Sequence, residues 1–242
     1  MINNFKTKIL TSIKSLNEIS LVLNKGVDIV DFKNPLEGAL GAFPVSKINY
    51  FLNKIPKKQK TSATIGDITS IKSIEKKVYL LSKTNVDFIK IGFFFDENKI
   101  NYLKNLKKKI KNKKIIAVLF ADMNPDLNII KKIKNIGFDG ILIDTINKKK
   151  GNLFSYFDLK KINNFIKISK KEELSIGLAG SLTINDIKPL ILLRPNYLGF
   201  RGALCEDKKR NQNINRIALD RIVSKFRFFS FLKNHEVEKQ LM

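Results

Sequence analysis

The stretch VDIVDFKNP, residues 27–35, places an aspartate and a lysine at the end of an otherwise apolar segment. A short apolar run of this kind is typical of a strand in a parallel sheet that is covered on both faces. Side chains two positions apart share one face of a strand, so Val27, Ile29, Asp31 and Lys33 should point the same way. The stretch therefore predicts a buried strand that presents a carboxylate and an amine together at its carboxyl end.

Similar apolar runs recur along the chain, and each is followed by a segment with apolar residues at helical spacing. The eight predicted strands cover residues 8–13, 27–33, 61–66, 86–93, 115–121, 138–145, 175–180 and 197–202. The eight predicted helices cover residues 16–26, 45–55, 70–85, 98–112, 126–137, 158–173, 184–193 and 215–229. Gly26 and Gly137 stand where a helix C′ glycine is expected, just before the next strand.

Eight βα units in succession predict an α/β fold, a (β/α)₈ TIM barrel that forms a single domain. We expect residues 1–225 to form the catalytic barrel and residues 226–242 a helical tail. A doubly wound open sheet is the alternative. It is disfavoured because KILTSIKS, residues 8–15, contains no glycine, whereas dinucleotide-binding sheets carry a Gly-rich loop after the first strand.

The amino-acid composition excludes several classes of site. Cys205 is the only cysteine and His235 the only histidine, which argues against disulfide frameworks, Cys/His zinc sites and Ser–His–Asp triads. The first ten residues lack the apolar core of a signal peptide, and no apolar run approaches 18 residues. We therefore expect a cytoplasmic protein with no membrane partner.

The formal net charge of +24 comes almost entirely from lysine, since only six residues are arginine. The lysines lie beside Asn and Ile in tracts such as residues 105–114, spread over several predicted helices. Arginine and interleaved aromatic residues are the usual means of nucleic-acid recognition, so we expect no specific nucleic-acid partner. A basic nucleic-acid-binding protein on a barrel scaffold stays open as an alternative, and a small anionic substrate would also benefit from the positive field.

Polar residues gather at the carboxyl ends of the predicted strands, where barrel enzymes have their active sites. They are Asp31, Lys33, Asp67, Lys90, Asp122, Asp144 and Lys148. A lysine there loses hydration, which lowers its pKa and frees an amine that can attack a carbonyl, while nearby carboxylates oppose the shift. The alternatives are an ion pair for Asp31 with Lys33, a helix N-cap for Asp67 or Asp122, and a solvated loop for Lys148.

Paired glycines follow the last two predicted strands, in GLAGSL (177–182) and GFRGALC (199–205). The loops after strands seven and eight are the usual phosphate site of TIM barrels, because backbone N–H groups can approach an anion there. We therefore predict that Gly180, Ser181, Gly202 and Ala203 bind substrate phosphate, with Asp67 among the substrate-binding residues at the same end. The alternative for the glycines is tight packing at the corner of the barrel.

An ordered set of segments resembles the (5-formylfuran-3-yl)methyl phosphate synthase family, which makes the furan precursor of methanofuran. The set comprises VDIVDFKNPLEGALGA, SATIGD, VDFIKIG, GILIDTINK, GLAGSL and GFRGALCE followed by RN. The resemblance covers residues 8 to 220, and KNPLEGALGA is its most distinctive part.

This resemblance implies a lyase that condenses two molecules of glyceraldehyde 3-phosphate into (5-formylfuran-3-yl)methyl phosphate, with loss of phosphate and water. It implies a Schiff base on Lys33 and a proton-accepting role for Lys90, with Asp31, Asp144 and Lys148 as further active-site residues. No metal or organic cofactor is implied, and we expect a homo-oligomer. A class I aldolase that acts on another phosphorylated sugar is the alternative enzyme.

Overall fold

The computed structural model describes residues 6–95, 97–110 and 112–239, and it is a closed barrel of eight parallel strands in chain order. The strands are β1 Lys8–Ile13, β2 Ile29–Phe32, β3 Lys60–Thr64, β4 Phe88–Gly92, β5 Lys114–Phe120, β6 Gly140–Asp144, β7 Ser175–Leu178 and β8 Tyr197–Phe200. β8 pairs with β1 and closes the ring. The predicted (β/α)₈ barrel is confirmed.

The helices that cover the barrel are α1 Leu16–Leu23, α2 Val45–Leu52, α3 Ile71–Ser82, α4 Leu106–Lys109, α5 Ile129–Asn135, α6 Leu159–Lys171, α7 Ile187–Leu192 and α8 Arg216–Lys239. Gly137 follows Ile136, the C-cap of α5, with φ of +93°, as predicted for a C′ glycine. Gly26, with φ of +68°, lies two residues past Asn24, the C-cap of α1, so it is one position beyond C′. The expected division at residue 225 lies inside α8, and residues 240–242 of the expected tail fall outside the described residues.

The helix predicted over residues 98–112 is largely replaced by a tighter turn. A 3₁₀ segment spans Glu97–Leu103, and α4 has only four residues. The buried side chains of this region, Ile100, Leu103 and Leu106, are spaced three apart, which matches the three residues per turn of a 3₁₀ helix. Lysines at 104, 107, 108 and 109 also repel one another on a longer helix.

Two apolar layers result from the alternation of side chains along the strands. The outer layer packs the sheet against the helices, and the inner one fills the barrel with Leu10, Ile29, Ile116, Val118, Phe120, Leu142 and Tyr197. The Tyr197 ring occupies space beside β7 that is open because residue 177 is glycine, where a Cβ atom would lie 2.3 Å from the ring. None of the described helices has the length and hydropathy needed to cross a membrane.

Strand register sets the level of the polar residues inside the barrel. Asp31 of β2 lies level with Ser12 of β1 and Ser62 of β3, and Asp144 is level with Phe120 of β5. The same-face alternation expected for β2 is confirmed for Ile29 and Asp31, which both point into the barrel. It is wrong for Val27, which precedes the strand and packs in the outer layer. The two buried aspartates therefore face the interior near the carboxyl ends of their strands.

Candidate active site

Asp31 and Lys90 form an ion pair inside the barrel. Lys90 Nζ lies 2.6 Å from Asp31 Oδ1, and the two side chains are 4% and 0% exposed. Ser12 Oγ and Ser62 Oγ donate hydrogen bonds of 2.7 and 2.6 Å to the two oxygens of Asp31. Three donors therefore converge on the Asp31 carboxylate and fix its orientation against the lysine.

Lys33 pairs with Asp144 across the barrel mouth. Lys33 Nζ lies 3.4 Å from Asp144 Oδ2, and Lys148 Nζ donates a hydrogen bond to Asp144 Oδ1 and another, of 3.2 Å, to Thr145 Oγ1. Asp144 Oδ1 also accepts the backbone N–H of Thr145 at 2.8 Å. Each of the two strand-end residues quoted at the outset thus pairs with a residue from another strand.

Burial shifts the protonation equilibrium of Lys33 toward the neutral amine. Desolvation lowers the pKa of Lys33 to about 8; Asp144 opposes the shift, and the charges of Lys148, Lys90 and Arg210 add to it. Burial alone would raise the pKa of Asp144, but Lys148 and Lys33 outweigh it and hold that pKa well below its usual range. The site thus contains an amine that is partly neutral next to a carboxylate that stays ionised.

Lys148 also belongs to this buried cluster and not to a solvated loop. Its side chain is 15% exposed, and burial lowers its pKa although Asp144 acts in the opposite direction. Asp144 therefore has a lysine on either side, and the two lysines share one negative charge.

Asp67 and Asp122 hold loops in place, and the N-cap alternative is wrong for both. Asp122 accepts the backbone N–H groups of Ile146 and Asn147 at 2.8–2.9 Å, which fixes the loop that carries Lys148. Asp67 accepts those of Ala39 and Leu40 at 2.7 and 2.6 Å. Neither caps a helix because both carboxylates turn toward the loop of a neighbouring strand. Asp67 lines the cavity, but both of its oxygens are occupied by the segment after Lys33.

A cavity of about 1550 Å³ opens above the lysines, and Lys33, Lys90, Asp144 and Lys148 all line it. Its wall on the β7 and β8 side includes the predicted phosphate-binding residues Gly180, Ser181, Gly202 and Ala203. Gly180 and Ser181 have φ of +101° and +52°, left-handed conformations of the kind found in tight turns. The structure thus brings every predicted site residue except Asp31 to the wall of one cavity, with Asp31 directly behind Lys90.

Arg210 is a residue of this site that the sequence analysis did not assign. It lies in the loop after β8, lines the cavity, and donates a 3.0 Å hydrogen bond from Nη2 to the carbonyl of Gly38. The available signal was the RN pair, residues 210–211, which closes the set of segments that resembles the family. Among the described residues, no group of three or more His, Cys, Asp and Glu side chains is placed to hold a metal ion.

Comparison with known proteins matches this chain to one family. The model of the family described as 4-HFC-P synthase matches residues 9–223. A Methylorubrum extorquens protein provisionally named (5-formylfuran-3-yl)methyl phosphate synthase is 32% identical over 88% of this chain and 89% of its own. The (5-formylfuran-3-yl)methyl phosphate synthase of Methanococcus aeolicus is 31% identical over 84% of this chain and 92% of its own.

The fold also matches solved barrels at low sequence identity. The structure of 3-hexulose-6-phosphate synthase from Salmonella typhimurium superposes with a TM-score of 0.69 at 15% identity, over 92% of this chain and all of the other. This likeness bears on the fold alone, whereas the family match spans the strands and loops that carry the site. The chain belongs to the 4-HFC-P synthase family.

Proposed function

We propose that the protein condenses two molecules of glyceraldehyde 3-phosphate into (5-formylfuran-3-yl)methyl phosphate, with loss of phosphate and water, in the synthesis of methanofuran. In reaction class it would be a carbon–oxygen lyase that acts on phosphates. Membership of the family supports the product, and the observation that carries the mechanism is the buried Lys33 amine with a pKa of about 8.

Lys33 would form the covalent intermediate. Its amine would attack the aldehyde carbon of the first substrate, and loss of water would leave an imine on Nζ. In its protonated form the imine is an electron sink that acidifies the neighbouring carbon. Asp144, 3.4 Å away, is placed to stabilise the cationic imine.

Lys90 would accept the proton released from that carbon. The C–H bond breaks, the proton goes to the lysine nitrogen, and the electron pair forms the enamine that attacks the aldehyde of the second substrate. Lysine accepts a proton only when neutral, and Asp31, 2.6 Å away, is the group that can share the proton of Lys90. The hydroxyls of Ser12 and Ser62 would keep that carboxylate in position.

The later steps eliminate phosphate and water and return protons to the leaving oxygens. Lys148 is suited to this role because it lies beside Asp144, and burial lowers its pKa. The glycine turns after β7 and β8 would bind a substrate phosphate through backbone N–H groups. Hydrolysis of the imine would then release the product and regenerate Lys33.

The direct test is incubation of the purified protein with glyceraldehyde 3-phosphate alone. We expect inorganic phosphate and a furan aldehyde, detected by phosphate assay, ultraviolet absorbance and mass spectrometry of the products. A simple aldol adduct without phosphate release would instead identify a class I aldolase that uses the same lysine. Absence of any product, with substrate intact, would reject the proposed function.

A further inference from the structure

Two arginines in the loop after β8 differ in how their guanidinium groups are used. Arg201 donates hydrogen bonds to Glu18 Oε2 at 2.7 Å and to the carbonyls of Ser12, Arg210 and Gln212. Arg210 donates one, to the carbonyl of Gly38. Its other four N–H groups have no acceptor among the described residues, so one arginine is a structural tie and the other keeps most of its donors available.

Arg210 is only half-buried, yet burial lowers its pKa, and the charges of Asp144 and Asp67 partly offset this effect. Its own charge is among the causes that lower the pKa of Lys33 and Lys148. The guanidinium therefore lies close enough to the lysine cluster to act on it, although no carboxylate of the described chain pairs with it. A partly desolvated cation with unused donors is suited to bind an anion.

The lining of the cavity has a large excess of positive charge. Six lysines and three arginines line it, against three aspartates and one glutamate. Asp67 accepts hydrogen bonds from two backbone N–H groups, and Asp144 forms ion pairs with two lysines. The volume of about 1550 Å³ also exceeds the 300–1,000 Å³ typical of a site for one small ligand. Both features suit more than one phosphorylated molecule.

We propose that Arg210 is the centre of a second phosphate subsite, on the β2 side of the cavity, distinct from the glycine turns after β7 and β8. The inference rests on the proposed function, since two phosphorylated substrates need two places for their phosphates. The guanidinium fork binds two phosphate oxygens in parallel hydrogen bonds. Its bond to Gly38 positions the fork over the segment that follows Lys33, so the subsite orders one substrate relative to the imine-forming amine.

The test uses inorganic phosphate as the probe and the full-length protein, titrated by isothermal titration calorimetry at fixed ionic strength. We expect the wild type to bind two phosphate ions per chain and Arg210→Gln to bind one, with the affinity of the remaining site unchanged. Arg210→Lys keeps the charge without the fork, and it should weaken the second ion by about tenfold. Arg227→Gln is the matched control, because Arg227 also donates one hydrogen bond to a backbone carbonyl, that of Lys25, but lies outside the cavity lining, and this variant should still bind two.

Several outcomes would overturn the subsite: a wild type that binds a single phosphate, an Arg210→Gln variant that binds two with wild-type affinities, or an Arg227→Gln variant that loses the second ion equally. Equal unfolding temperatures show that the variants are folded. If Arg210 only tied the loop to Gly38, its loss would lower turnover and leave two bound ions. The phosphate titration measures binding without turnover, so it is independent of the furan assay. Failure of the wild type to make a furan would reject the proposed function separately.

Discussion

The two ends of this barrel use the same residue types in different surroundings. At the amino end, an aspartate or asparagine just before each even-numbered strand accepts a backbone N–H from the preceding odd-numbered strand. The four bonds run from Ile9 to Asp28, Thr61 to Asp87, Ile115 to Asp139 and Ile176 to Asn196, with lengths of 2.7–2.9 Å. These side chains join neighbouring strands through hydrogen bonds to the backbone.

At the carboxyl end, the aspartates of β2 and β6 point into the barrel and pair with lysines. The lysines there, Lys90, Lys33 and Lys148, are 4%, 10% and 15% exposed, whereas Lys60, which pairs with Asp87 at the amino end, is 57% exposed. The same ion pair is therefore solvated at one end and desolvated at the other. Desolvation is what makes a lysine reactive, because it destabilises the ammonium form.

Removal of the Lys33 amine should have the largest effect on activity. Lys33→Met keeps most of the apolar stem but removes the nitrogen, and it should lower furan formation by on the order of 10⁴-fold, because no imine can form. Lys60→Met removes a lysine from the amino end and should leave the rate unchanged. Steady-state phosphate release measures both. A Lys33→Met variant within tenfold of wild type would contradict the covalent role.

The second effect concerns the buried carboxylate of β2. Asp31→Asn leaves Lys90 without a charged partner in the interior, so we expect a loss of about 3 kcal/mol in the free energy of unfolding and at least about a 100-fold loss of activity. Denaturant unfolding and the phosphate assay measure these quantities.

Asp87→Asn is the control at the amino end. The asparagine oxygen can still accept the N–H of Thr61, and the lost partner, Lys60, is solvent-exposed, so the free energy of unfolding should fall by less than about 1 kcal/mol. Equal stability losses in Asp31→Asn and Asp87→Asn would mean that the two ends are not electrostatically different.

The third comparison is between Asp122, which holds the loop that carries Lys148, and Asp139, which joins two strands at the amino end. Asp122→Asn weakens the hydrogen bonds to Ile146 and Asn147, so Lys148 is held less firmly and kcat should fall by about tenfold. Asp139→Asn keeps an acceptor for the N–H of Ile115 at the amino end and loses only the partly exposed ion pair with Lys107, so the free energy of unfolding should fall by at most about 1 kcal/mol with kcat unchanged. If Asp139→Asn lowered kcat as much as Asp122→Asn, loop support would not explain the difference.

The smallest effect is the pH dependence of Lys33. With a pKa of about 8, the neutral fraction of its amine should rise about fivefold between pH 7 and pH 8, and kcat/KM should rise with it. The folded pKa lies below the unfolded value of 10.5, so the folded state binds fewer protons between these values and stability should rise as pH increases from about 8 to 10.5. Lys33→Met should lose this rise in stability. A flat kcat/KM profile over pH 7–9 would contradict the lowered pKa.

Much of the fold and part of the site follow from periodicity in the sequence. The bounds of all eight strands were predicted within a few residues. Buried parallel strands appear in the sequence as continuous apolar runs, whereas in helices the apolar residues recur at helical spacing. Alternation placed Ile29 and Asp31 on the interior face. The segment 98–112 was mispredicted as one helix because spacing of three and spacing of 3.6 differ little over two turns.

The partners of each charged group could not be predicted, because they depend on register across strands far apart in the chain. Lys90 and Asp31 are 59 residues apart, and Lys33 and Asp144 are 111 apart. Nor could the sequence indicate that Asp122 and Asp67 turn toward loops of neighbouring strands. Arg210 lies in a loop without periodic signal, so only its place in the RN pair of the family resemblance pointed to it.

In the proposed mechanism, the desolvated Lys33 at the carboxyl end of β2 forms the covalent intermediate. Its most direct test is borohydride reduction of the protein in the presence of glyceraldehyde 3-phosphate, followed by peptide mass spectrometry. We predict a reduced substrate adduct on the peptide that contains Lys33, and none in Lys33→Met or without substrate. An adduct confined to Lys90 or Lys148, or no adduct while wild-type protein turns over substrate, would contradict the claim.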